Sequence, residues 1–99
     1  MSIPPELIRV DGAWWRLVVQ AEVKDEDGVD QAGLTDYEEL RLIIKLGNEQ
    51  VMRQTTLHEA MHAACPDVPE KYIRQLERGL FALFTMNKPL RDYVFGSED

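Results

Sequence analysis

The two histidines of this chain fall four residues apart around a glutamate, in the run His58-Glu59-Ala60-Met61-His62. On a helix, a separation of four is just over one turn, so both imidazoles leave the same face and their nitrogens can converge on one point. Zinc accepts imidazole nitrogen at about 2.0–2.1 Å, and a catalytic zinc needs three protein ligands with the fourth position left to water. Glu59 is rotated by about 100° from His58 and still borders that point, where a carboxylate can take a proton from the water. The pattern assigns His58 and His62 as ligands of Zn2+ and Glu59 as the general base. The competing explanation is a chance match on an amphipathic helix, where a histidine is only a hydrogen-bonded core residue. Context favours the metal: a strand and a turn precede the motif, and a tight break leads from it into a second helix that carries glutamates.

Those chemical groups need a helix, and the sequence supplies one. Asn48 is a suitable N-cap with Glu49 in the first turn, and Val51, Met52, Thr55, His58, Met61, His62 and Cys65 then recur at helical spacing. The helix is expected over residues 49–64. Pro66-Asp67-Val68-Pro69 breaks it, and Pro69 suits the first position of a new helix, where its missing N–H is not needed. Ile73, Leu76, Leu80, Leu83 and Phe84 form the apolar stripe of that second helix, which should end near Met86-Asn87, before Pro89. So short a connection implies an antiparallel helix hairpin.

Upstream, residues 14–23 are rich in aromatic and β-branched types and read as a strand, followed by the acidic residues 22–30, which read as a solvated loop. Gly33-Leu34-Thr35-Asp36-Tyr37 reads as a turn, and residues 40–46 as a second, half-buried strand stopped by Gly47-Asn48. The expected fold is α+β: one domain over residues 1–99, with a small sheet of two to three strands packed on the two-helix hairpin and the zinc between the helices.

The third ligand should come from the returning helix, where Glu70 and Glu77 are the candidates. Folding the hairpin about Asp67 sets the histidines opposite residues 71–75, so Glu70 falls just short and Glu77 just beyond. Either glutamate could instead be a solvated surface residue, and Glu70 also suits the first turn of a helix, where the dipole favours an acid.

Gln54-Thr55-Thr56-Leu57-His58-Glu59-Ala60-Met61-His62-Ala63, followed by Leu76-Glu77-Arg78-Gly79-Leu80-Phe81-Ala82-Leu83-Phe84, resembles the short phage and prophage zincins related to the ImmA/IrrE metallopeptidases. The upstream Gly33-Leu34-Thr35-Asp36-Tyr37 is similar too, so the resemblance covers about residues 14–90. It implies a gluzincin-type peptidase acting on a peptide or protein. It also implies a third ligand that begins a helix, with small or apolar residues three and six positions later, which maps onto Glu70, Ile73 and Leu76 and selects Glu70 over Glu77. The chain departs from larger relatives in having only Pro66-Asp67-Val68-Pro69 between Cys65 and Glu70, and in lacking the DNA-binding module of many phage regulators.

Composition narrows the alternatives. A net charge of −7, from 18 acidic against 11 basic residues, opposes nucleic acid as a partner, because phosphate contacts depend on Lys and Arg. Residues 1–6 lack the basic and apolar regions of a signal peptide, and no apolar run approaches the ~20 residues of a membrane span. Together with the single cysteine, this makes a cytoplasmic protein the expectation. Cys65 could approach the metal, but reads as a buried or partly buried thiol. Trp14 and Trp15, adjacent on a strand, should face opposite sides, one into the core and one outward. The strand over residues 40–46 could form the edge beside the cleft and take an extended peptide by strand addition. Tyr37, Tyr72 and Tyr93 are each able to stabilise an oxyanion. Two rival functions remain: a non-catalytic zincin-like phage protein acting in protein–protein interaction, and a metal-free acidic interaction protein.

Overall fold

A computed structural model describes residues 4–96. The acidic tail read at Glu98-Asp99 and half of the N-terminal segment lie outside the described residues. The chain opens with a hairpin of β1 (Leu7–Val10) and β2 (Ala13–Gln20), closed by Asp11 and Gly12, both at positive φ (47° and 83°). Two central residues at positive φ match the right-handed twist of the flanking strands, which is why Asp-Gly suits this turn. β3 (Gly33–Asp36) and β4 (Arg41–Lys45) complete a four-stranded sheet of order β1-β2-β4-β3, with β2 and β4 parallel and the other pairs antiparallel.

The architecture is α+β as expected, with differences in its parts. The sheet has four strands rather than two or three, and Gly33–Asp36 is an edge strand rather than a turn. β4 lies between β2 and β3, so it is not the edge beside the cleft; its consecutive Leu42, Ile43 and Ile44 are all buried, as an interior strand requires. β2 stops at Gln20, and the acidic loop after it is hydrogen-bonded rather than simply solvated. There Asp25 Oδ1 accepts from the Asp27 and Val29 amides, and Lys24 pairs with Asp30. The tryptophans alternate as expected, with Trp15 buried in the core beside Leu42 and Ala63, and Trp14 exposed under Arg9.

Helix α1 (Glu49–Ala64) has its predicted bounds, and the Asn48 side chain accepts from the Val51 amide at 2.9 Å. α1 packs on β1, β3 and β4, whereas α2 (Glu70–Met86) packs on α1 and on α3 (Lys88–Phe95) and not on the sheet. The helix hairpin is therefore not a single layer, since α1 separates α2 from the sheet. Pro69 is the N-cap of α2 rather than its first residue. Pro89, read as a terminator, instead lies in the first turn of α3, where its missing N–H costs nothing. Among the described residues, no helix is long and apolar enough to cross a membrane.

Candidate metal centre

β3 reaches α1 at an unusually close approach because Gly33 has no side chain. A Cβ there would stand 2.8 Å from Thr55 Cγ2 and 3.0 Å from Glu59 Cγ. With β3 on one side and α2 on the other, α1 becomes the floor of a cleft. One arm, about 450 Å3, opens over His58, Glu59, His62 and Glu70; the other, about 310 Å3, runs past His58 and Glu59 towards Gln54 and Glu77.

Both histidines turn Nε2 towards Glu70 Oε1, at 3.1 Å for His58 and 2.6 Å for His62. The ligand atoms of the three residues all lie within 4.8 Å of one another. A zinc tetrahedron with bonds of about 2.0–2.1 Å has edges of about 3.3 Å, so two imidazoles and one carboxylate at this spacing could hold a metal ion once the side chains adjust. The antiparallel course of α1 and α2 makes the meeting possible: His62 and His58 contact Glu70, while His58 and Gln54 contact Glu77. Glu70 is the first residue of α2, and its outer oxygen Oε2 accepts from Arg74 Nη2 at 2.8 Å. Partial burial pushes the Glu70 carboxyl up, but the Arg74 hydrogen bond and those to His62 and His58 together outweigh it and hold it down at about 2.

Glu77, two turns further along the same face, is brought to a different place. It is buried (6% exposed), with Oε1 3.4 Å from Nδ1 of His58 and Oε2 accepting from Gln54 Nε2 at 2.7 Å. It faces the back of His58, whereas Glu70 faces the point shared by the two Nε2 atoms.

A scan against protein-family models gives no match, and searches of curated proteins and of solved structures give none either.

Glu59 is almost fully buried (8% exposed) yet lines both arms of the cleft. The Thr35 hydroxyl donates to Glu59 Oε1 at 2.7 Å and also lies 3.1 Å from the Glu59 carbonyl oxygen. An edge-strand hydroxyl thus fixes the rotamer of the carboxylate beside the histidines. Of the three tyrosines, Tyr37 lines the wider arm; its hydroxyl donates to the His62 carbonyl oxygen at 2.9 Å, and its ring stands edge-on to Trp15. Burial, and then the nearby Glu59 charge, raise the Tyr37 phenol above its ordinary value. Tyr72 and Tyr93 line neither arm and are exposed on α2 and α3. Cys65 is exposed at the C-cap of α1, not buried, and is outside the group of residues that could hold a metal.

Sequence reasoning overlooked Thr35, Gln54 and Arg74. Arg74 had a local signal, since i and i+4 partners of opposite charge face each other on a helix. Thr35 had none once its segment was read as a turn.

Proposed function

We propose that this chain is a zinc-dependent hydrolase, a minimal gluzincin-like peptidase akin to the ImmA/IrrE-related phage zincins. His58, His62 and Glu70 would hold the ion, and Glu59 would serve as general base. The observation that carries this reading is the convergence of two Nε2 atoms on one carboxylate oxygen, at 3.1 and 2.6 Å, on the helix face bordered by the buried Glu59. Zinc bound there supplies a Lewis acid that polarises a carbonyl and acidifies a coordinated water.

The residues of the chain supply the rest. Glu59, held through one oxygen by Thr35, accepts the proton of the attacking water and passes it to the leaving amine. β3, with a strand neighbour on one side only, offers its free edge to an extended peptide substrate, the role first expected of β4. The acidic net charge and the single, exposed thiol suit a cytoplasmic enzyme acting on protein rather than on nucleic acid.

A second reading, a zincin-like protein that binds a partner without catalysis, draws support from the exposed Tyr72, Leu76, Leu83 and Met86, which follow one another along α2 at helical spacing. Metal analysis of the purified protein combined with hydrolysis of casein and of a mixed peptide library separates the two. The enzyme reading expects about one zinc per chain, and hydrolysis that falls ~100-fold or more in Glu59→Gln while zinc is retained. Stoichiometric zinc without hydrolysis, unaffected by Glu59→Gln, would leave the binding role.

A further inference from the structure

Glu77 is a buried carboxylate that the proposed reaction does not use. Burying a charge is costly unless it is paired and hydrogen-bonded, so its partners indicate what it is kept for. Among the described residues, two groups lie within hydrogen-bond or ion-pair distance of it, on successive turns of α1: Gln54, donating to Oε2 at 2.7 Å, and His58, whose Nδ1 lies 3.4 Å from Oε1. The His58 ring thus stands between two carboxylates of α2, Glu77 behind Nδ1 and Glu70 in front of Nε2 at 3.1 Å.

We propose that Glu77 is a positioning residue for His58: it accepts the Nδ1 proton and so directs the Nε2 lone pair at the metal point, while Gln54 holds Glu77 in place. The proposal rests on the metal-centre reading above. Its physical basis is that an imidazole ligates through one nitrogen only when the proton resides on the other, and a carboxylate at that second nitrogen fixes both the tautomer and the ring angle. His62 provides the internal contrast. Its Nε2 meets Glu70 at 2.6 Å, and among the described residues no carboxylate is paired with its Nδ1. The two ligands should therefore differ in rigidity, with His58 the anchored one.

The test uses 15N-histidine-labelled protein loaded with one equivalent of zinc, with zinc affinity measured by competition against a chromophoric chelator. In the wild type, the His58 Nδ1–H should be visible and protected from exchange, and the His62 Nδ1–H should exchange faster. Glu77→Gln keeps the shape and the place of the carboxylate and should weaken zinc binding ~10- to 100-fold with stoichiometry unchanged, while the His58 Nδ1–H loses protection. Gln54→Ala should act in the same direction to a smaller extent.

A merely structural Glu77 would lower the melting temperature in both variants and leave the His58 Nδ1–H and the zinc affinity alone, which overturns the proposal. Loss of zinc from Glu77→Gln as complete as from His58→Ala would make Glu77 a ligand, and overturns it too. Failure of the wild type to bind zinc sinks the metal centre itself, whereas zinc binding with an unprotected His58 Nδ1–H sinks this inference alone.

Discussion

Gly33 lies directly against Glu59: a Cβ on Gly33 would stand 3.0 Å from Glu59 Cγ and 2.8 Å from Thr55 Cγ2, with the Ile43 carbonyl oxygen 3.1 Å away. Edge strand and motif helix therefore touch through a position that tolerates no side chain. Gly33→Ala should push β3 away from α1, because Thr55 is β-branched and stiff on a helix and the Ile43 oxygen belongs to the backbone. Overpacking of this kind costs about 1–3 kcal/mol, which thermal or urea unfolding of the metal-free protein would show. Wild-type stability in Gly33→Ala would mean that the strand shifts freely and that the close approach is not required.

Thr35→Val replaces the hydroxyl by a methyl of the same shape and leaves Glu59 Oε1 without its donor. Leaving a buried acceptor unsatisfied costs about 1–3 kcal/mol of stability. If Glu59 is the general base, turnover should fall as well, because its rotamer is no longer fixed, while zinc affinity stays near the wild-type value. A Thr35→Val protein that loses zinc would show that the hydroxyl supports the ligands rather than the base.

Glu70→Ala removes the carboxylate on which both Nε2 atoms converge, so zinc binding itself should collapse. If zinc binds the folded chain alone, at 100 times its dissociation constant it should stabilise the wild-type fold by about 2.7 kcal/mol. Differential scanning of both proteins with zinc and with chelator checks this: the wild-type transition should shift and the Glu70→Ala transition should not. A zinc-dependent shift that persists in Glu70→Ala would move the third ligand elsewhere.

The pairing of Glu70 also has a pH signature in the metal-free protein. Its carboxyl is held at about 2 when folded against an ordinary 4.5, so the folded state favours the ionised form. The stability this contributes is complete above pH 4.5 and is lost as the pH falls towards 2. The melting-temperature gap between the wild type and Glu70→Gln should therefore close progressively as the pH falls from about 5 towards 2. A gap that widens as the pH falls from about 5 towards 2 would contradict the sign.

Several features were legible in residue order because they depend on neighbours along the chain. The four-residue spacing of His58 and His62, the Asn48 cap, the bounds of α1 and the opposite facing of Trp14 and Trp15 follow from the geometry of a single helix or strand. The Asp11-Gly12 turn and the alternating residues before it carried a comparable local signal for the β1–β2 hairpin, which was overlooked. β3 and α3 were less legible. A four-residue strand beginning with glycine is stabilised by its pairing with β4, and α3 by contacts such as the Phe84–Phe95 ring pair, both set by packing.

The glutamates of α2 mark the same boundary more sharply. Spacing put Glu70 and Glu77 on one face, seven residues apart, and left either able to meet the histidines. The level at which α2 passes α1 separated them, setting Glu70 before the two Nε2 atoms and Glu77 behind His58. Sequence alone determined which groups share a helix face, because the rise and turn of a helix are fixed by its backbone. Only tertiary structure decided which carboxylate meets which nitrogen, because the offset between two helices is set by how their side chains pack.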